Sequence, residues 1–439
     1  MRTSKAFKRG ISLLSLLALL LAGEILFTSL LEPISFAVYF KHDLSTFEAT
    51  NADVDLVFVG ASRVYRSFVP NVFEAELGTK NVINAGSSSQ HISGSYYQMK
   101  DLIERFHPEY VVLGVTGGGL CNQYDLQSNL IVLDRLQGLN KFAYILNIFD
   151  FQDWPYALLK SYRFKTNLTA KKITENIQEK KELFARNYQD DPANKDYYEE
   201  TGFIFATNAY EPGNVEISGG LNSIRVFNDT EISYLNKIVD LCTSTDTQLF
   251  LVTAPTTMSR VFNGTEYQYY HDWYANFAKE NDLIYHDLNF LKTREDILPD
   301  SSMRDINHVN GKGAYTISKV YAEILQKTLD GEPTDHYFYS SREELMMDVD
   351  RIVAVDASIE INDNIAQVEI TSLHNDAIVP SYQISVSYDN VNNSVLVDWT
   401  TDAKFAVELP DCDDYTIMVR AKAGVNEETE AFQYYRFHK

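Results

Sequence analysis

An α/β unit built on a parallel sheet, followed by an all-β sandwich and preceded by one apolar helix, is the architecture this 439-residue sequence predicts. Three observations carry the prediction. Between residues 51 and 330, short β-branched and aromatic runs that end in glycine alternate with helical stretches. After about residue 350 the apolar pattern changes to period two. The N-terminus pairs a basic start with a long apolar run.

The N-terminal run comes first. Arg2, Lys5, Lys8 and Arg9 place four positive charges in a basic stub over 1–10. Ile11 to Leu31 follows, 21 residues with a single charge, Glu24. At about 1.5 Å per helical residue this matches the hydrocarbon thickness of a bilayer. A cleavable leader with its apolar region over 11–22 is the alternative. No small-x-small cleavage site stands near Ala22-Gly23, and the apolar run resumes beyond Glu24, so an uncleaved transmembrane anchor over 11–31 is expected. An intramembrane carboxylate is costly and weighs against a full span. The positive-inside bias leaves the N-terminus cytoplasmic and the rest outside, a single-pass plasma-membrane topology. Residues 32–50 read as a stalk.

Within the α/β unit, Leu56 to Val59 is a strand that ends in Gly60-Ala61-Ser62. Asn81 to Asn84 is a second, ending in Ala85-Gly86, and Tyr110 to Val115 a third, followed by Gly117-Gly118-Gly119. Ser93 to Phe106 reads as a helix with Tyr97, Leu102, Ile103 and Phe106 on its apolar face. Strand, helix and strand in this rhythm argue for a parallel sheet covered on both faces. Ligands of such sheets bind beyond the carboxyl ends of the strands, where Ser62, Gly86 and Thr116 lie. Residues 120–245 break the alternation with helical stretches (129–148, 169–187) and an acidic loop over 188–200, read as an insertion that shapes a substrate cleft. The alternation resumes with the strand 248–253, the helix 266–281, the strand 283–288 and the helix 311–329, and the unit spans 51–335.

A linker over 336–350 precedes seven period-two strands within 351–439, a β-sandwich. The stretch ELPDCDDYTIMVRAKA, with Trp399 upstream, resembles the late strands of an immunoglobulin-like or fibronectin type III module.

Composition removes several functions. The 61 acidic residues against 38 basic ones give a net charge of −23. Binding nucleic acid through a basic surface is excluded, since phosphate neutralisation needs clustered Lys and Arg. Cys121, Cys242 and Cys412 are too few and too scattered for a disulfide framework or a zinc site. Asp190, Asp191, Asp196, Glu199 and Glu200 are read as a solvated acidic loop in preference to a Ca²⁺ site. No GxGxxG or P-loop lysine accompanies the glycines at 117–119, so nucleotide binding is not expected.

Two features carry chemistry. Ser62 stands where a strand turns into a helix, which exposes its Oγ and offers backbone N–H groups to an oxyanion. Asp305 and His308 are three residues apart, close enough for the carboxylate to hold the ring tautomer and leave Nε2 to take the serine proton. Either alone is weak. His91 reads as a surface-loop histidine in preference to a substrate contact, and His286-Asp287 as structural.

Together these blocks resemble the SGNH (GDSL-type) hydrolase superfamily over residues 51–330. The first block reads VFVGASRVYRSF with Ser62 as nucleophile, the second NVINAGSSSQHISGSYY, and the last DINHVNGKGAYTIS with Asp305 and His308. Membrane-anchored bacterial members, similar to the D-alanyl transfer protein DltD and to polysaccharide acyltransferases and esterases, are the branch it looks closest to. The resemblance implies a three-layer α/β/α, flavodoxin-like fold and acyl-ester chemistry without a metal or organic cofactor. It makes the N–H groups of Ser62 and Gly86 oxyanion donors. The third block departs from it: Thr116 stands where the family has an asparagine donor, and losing one such donor typically costs about 10²–10³ in rate. Thr116 Oγ or Asn122 is expected to stand in, and Arg63, His91 and Asn122 are candidate substrate contacts.

The function expected is that of an extracytoplasmic, membrane-tethered serine esterase or O-acyltransferase acting on a cell-wall or extracellular polysaccharide. By family analogy a transferase would work with a membrane-embedded acyl-transfer partner. The alternative is a catalytically weak carbohydrate-binding or scaffold protein. Setting the basic stub aside leaves −27 on the remainder, which favours a neutral, acylated or cation-bridged polymer over a bare polyanion.

Overall fold

The computed structural model describes residues 5–121, 124–185, 196–210, 226–262, 266–349, 351–352, 354–375, 377–388, 392–410, 412, 414–424 and 431–438. Asn122, Asp190 and Asp191 lie outside these described residues.

Five strands form the central sheet: β1 (Leu56–Val59), β2 (Val82–Asn84), β3 (Tyr110–Gly114), β4 (Gln248–Thr253) and β5 (Ile284–Asp287). Their order is β2-β1-β3-β4-β5, with every pairing parallel. This is the doubly wound order of flavodoxin-like sheets, which reverses direction at β1/β3. Alternate residues of each strand enter separate cores. Val57, Val59, Val111, Leu113, Leu249 and Leu251 pack with the helices Ile92–Phe106 and Asp229–Ser244. Leu56, Phe58, Val112, Phe250 and Val252 pack with the helices Pro70–Leu77 and Gly311–Leu329. Burial on both faces explains why the strands read as continuous apolar runs.

Three readings change within the α/β unit and the segment that precedes it. The helix Asp229–Ser244 buries Tyr234, Leu235, Ile238 and Cys242 against the sheet. It is the crossover between β3 and β4, so the insertion ends before it. Residues 32–50 are no stalk: the helix Phe36–Thr50 buries Phe40 and Leu44, one turn apart, in the same core. The stretch 129–148 is two helices, Leu126–Arg135 and Gly138–Ile148, parted where Gly138 takes φ +51°.

The helix Lys5–Leu31 carries the apolar N-terminus. Among the described residues no single helix is long and apolar enough to cross a membrane, and Ala18–Leu31 passes only together with Phe36–Thr50, bent by 116°. Its last turns are clamped to the insertion. Ser161 N donates to Glu24 Oε1 (3.0 Å), Asn176 Nδ2 to the Leu30 and Leu31 carbonyls (3.1 and 3.0 Å), and Lys180 Nζ to the Ser29 carbonyl (2.7 Å). The Asn176 and Lys180 donors satisfy carbonyls that a helix end leaves open.

Beyond residue 350, seven antiparallel strands form two sheets. The first, second and fifth (Ala354–Asn362, Ile365–Leu373, Lys404–Glu408) make one; the fourth, third, sixth and seventh make the other. Val368, Ile370 and Val407 of one sheet share a core with Ile384, Val386, Ile417 and Val419 of the other. The segment read as a linker holds the helix Arg342–Asp348, whose Leu345 is buried with Met258, Val261 and Phe290.

Candidate active site

Ser62 opens the short helix Ser62–Ser67 directly beyond β1. The turn is held by Gly60 at φ +149°, a conformation that disfavours a side chain. It is also held by close packing around Val64. A Cβ on Gly60 would lie 2.7 Å from Val64 Cγ2, one on Gly86 3.0 Å from Val64 Cβ, and one on Gly114 2.1 Å from Val64 Cγ2. Three strand-end glycines thus form the socket into which the nucleophile helix is keyed. Asn84 ties the helix down from below, donating from Nδ2 to the Val64 carbonyl (3.0 Å) and the Phe68 carbonyl (2.7 Å).

His308 and Asp305 lie on a tight hairpin (Met303–Asp305 with His308–Val309) before the helix Gly311–Leu329. Asn310 caps that helix through Gly313 N (3.0 Å) and donates to the Ser301 carbonyl (2.7 Å), fixing the hairpin's exit. Ser62 Oγ is 2.7 Å from His308 Nε2. On the far side of the ring, His308 Nδ1 is 2.8 Å from Asp305 Oδ1 and 3.0 Å from Oδ2. With the Nδ1 proton given to the carboxylate, Nε2 keeps its lone pair for the serine hydroxyl. Burial would raise the Asp305 pKa. The bonds from His308, the Asn307 N–H and Arg304 outweigh it and hold the carboxyl well below the usual range. His308 is itself lowered from 6.5, by burial first and by the charges of Arg63 and Arg66, against the opposing pull of Asp305.

Behind the carboxylate runs an ionic relay that sequence reasoning missed. Arg304 Nη1 donates to Asp305 Oδ2 (2.9 Å) and Nη2 to Asp196 Oδ2 (2.9 Å). Arg66, on the nucleophile helix, donates to the same Asp196 oxygen (2.9 Å). Asp196 therefore bridges the serine helix to the histidine hairpin and is no free calcium ligand. Among the described residues no cluster of His, Cys, Asp or Glu is arranged to hold a metal. Arg63 makes a second bridge, donating to Asn307 Oδ1 at 2.9 Å. Of these partners, the sequence names Arg63 only as a candidate substrate contact and Asp196 only as part of an acidic loop.

The remaining expected site residues divide. The Gly86 N–H donates to Asn84 Oδ1 (3.1 Å), so it is not open to an oxyanion; Gly86 serves the turn by close approach. Thr116 Oγ1 accepts from Gly119 N at 3.2 Å, which leaves its own hydrogen to give. His91 is no surface-loop residue: it is buried, with Nδ1 3.8 Å from Glu231, whose carboxylate also binds Ser93. His286 is structural as read, buried against the Phe338 ring with its pKa pushed down to about 4 by burial.

A serine, a histidine and an aspartate in hydrogen-bonded series at the carboxyl end of a doubly wound sheet form an arrangement chemically capable of acyl transfer. No protein-family model matches the chain, and no curated protein matches it. Solved structures do. It is similar to a GDSL-like lipase from Bacteroides thetaiotaomicron (11% identity, TM-score 0.33, over 67% of this chain and 100% of that one). It is also similar to a putative acylhydrolase from Bacteroides fragilis (10%, 0.33, over 65% and 97%). A two-domain esterase active on acetylated mannans matches over 91% of this chain and 94% of its own, at 10% identity and TM-score 0.27. GDSL-type proteins, of the superfamily that the motifs resemble, are thus among its structural neighbours.

Proposed function

We propose that the chain is a serine esterase of the SGNH type that removes O-acyl groups from an extracellular or cell-wall polysaccharide. The observation that carries this is the unbroken series Ser62 Oγ, His308 Nε2, His308 Nδ1 and Asp305, with contacts of 2.7 and 2.8 Å. Ser62 Oγ attacks the acyl carbonyl as His308 Nε2 takes its proton, and Asp305 stabilises the imidazolium that forms. The Ser62 N–H, unpaired within the first turn of its helix, and the Thr116 hydroxyl hold the oxyanion. His308 returns the proton to the departing sugar hydroxyl, leaving an acyl-serine. Water, deprotonated by the same ring, then releases the acid. A sugar hydroxyl in place of water would make the chain an acyltransferase through the same steps.

The N-terminal helix is proposed as a membrane anchor that leaves the serine outside. Ala18–Leu31 is too short alone, and residues 11–17 of the same helix complete the length. Exposed Leu139, Phe142, Leu146 and Phe151 on the adjoining insertion support a place at a lipid surface. The order of the C-terminal sheets supports the immunoglobulin-like reading.

Incubation with a fluorophosphonate probe and with acetylated polysaccharide tests the enzyme reading. Labelling at Ser62, absent in Ser62→Ala, with release of acetate is expected. No label, or label that survives Ser62→Ala, refutes it. An added sugar acceptor separates the two fates of the acyl group.

A further inference from the structure

Beside the serine, the ends of β3, β4 and β5 enclose a cavity of about 130 Å³. Two guanidinium groups, from Arg63 and Arg260, stand in its wall, with Tyr267, Tyr270, His271 and Asp287. Among the described residues neither arginine has an ion pair, and Arg63 gives a single bond, to the neutral amide of Asn307. The carboxylate in the same wall is Asp287, 3% exposed. It is already occupied. Tyr267 donates to both oxygens (2.7 and 2.8 Å), His271 Nδ1 to one (2.9 Å), and Asn289 N and Nδ2 to Oδ1 (3.0 and 3.1 Å). Two cations thus face one saturated anion, leaving a positive surplus in a pocket of a chain whose net charge is −23. A surplus charge taken out of water is costly until something neutralises it. Guanidinium groups pair with carboxylates in a planar fork, and tyrosine rings tolerate the sugar that bears one.

We propose that this cavity receives a carboxylate of the substrate, next to the ester that Ser62 attacks. The inference rests on the esterase reading and narrows it to acidic acyl-sugars. Such a carboxylate has two sources: a uronic acid ring, or the free end of a dicarboxylic acyl group. The acidic exterior does not forbid either, since repulsion is screened beyond about 8–10 Å whereas the cavity acts at contact.

The full chain carrying Ser62→Ala binds substrate without turning it over. Calorimetry against methyl O-acetyl-glucuronoside, methyl O-succinyl-glucoside and the neutral methyl O-acetyl-glucoside reads the preference directly. One carboxylate ligand is expected to bind about 10–100-fold more tightly than the neutral one, the worth of a charge-assisted bond. Which of the two does so identifies the source. Adding Arg260→Gln should bring the ratio within about two-fold of unity, and Arg260→Lys, which keeps the charge but loses the planar fork, should retain only part of it. Equal affinity for all three ligands, no binding of either carboxylate ligand, or a preference that survives Arg260→Gln overturns the proposal. Absence of ester hydrolysis by the wild-type chain would refute the esterase reading and leave the binding ratio standing.

Discussion

Replacing Gly114 by alanine should damage the enzyme far more than one methyl group suggests. The new Cβ would lie 2.1 Å from Val64 Cγ2, where carbon atoms settle at about 3.5–4.0 Å. Val64 has nowhere to retreat, because Gly60 and Gly86 already crowd it from the other strand ends. The helix that begins at Ser62 must therefore lift, and overpacking of this kind costs about 1–3 kcal/mol. A displacement of about 1 Å at a reacting group costs on the order of 10² in rate. We expect Gly114→Ala to lower kcat/KM for p-nitrophenyl acetate about 10²-fold and stability to urea by about 1–3 kcal/mol. Val64→Ala alone should lose about 1–2 kcal/mol of burial. The double variant should be more active than Gly114→Ala, with a coupling of about 1 kcal/mol or more in stability. Wild-type kcat/KM in Gly114→Ala, or strict additivity in the double variant, would refute the socket.

Further tests follow from the same geometry. Asp305→Asn should lower kcat by about 10⁴ with the circular dichroism unchanged, because an amide no longer fixes the His308 tautomer. Arg304→Gln removes one half-exposed bond to Asp305, and kcat should fall only about 3–10-fold after screening. His308 must be neutral to accept the serine proton, and its pKa is lowered, so the acid limb of kcat/KM should have its midpoint below 6.5; a midpoint above 7 contradicts the burial argument. Asn84→Leu strands the Val64 and Phe68 carbonyls and should cost about 2–4 kcal/mol in a urea titration.

Local pattern made much of this protein legible. Runs such as Leu56–Val59 and Tyr110–Gly114 announce buried parallel strands because both faces are apolar, and the helix Gly311–Leu329 was bounded to the residue. Ser62, Asp305 and His308 were readable because turn, spacing and motif agree. What escaped reading is long-range. Asp196 meets Arg66 and Arg304 across 130 and 108 residues, and nothing local marks an acidic-loop residue as their bridge. His91 and Glu231 come together only when the crossover helix packs on the helix Ile92–Phe106. The Gly86 N–H was assigned to an oxyanion from a motif, and the competing acceptor two residues earlier, Asn84 Oδ1, emerges only from the turn's geometry.

The clamp between the N-terminal helix and the insertion has a mechanical meaning. A flexible tether lets an enzyme sweep a volume set by the square root of its linker length. Here no slack exists between Leu31 and the folded body: Asn176 and Lys180 grip the helix end, and the next helix is already in the core at Phe40 and Leu44. With the N-terminal helix standing in a bilayer as proposed, and its last turns held against the folded body, the serine would work at one height and one tilt. The polymer would have to pass through that plane, and lengthening the chain with a glycine-serine insert after Leu31 would change which stretches of it are deacylated.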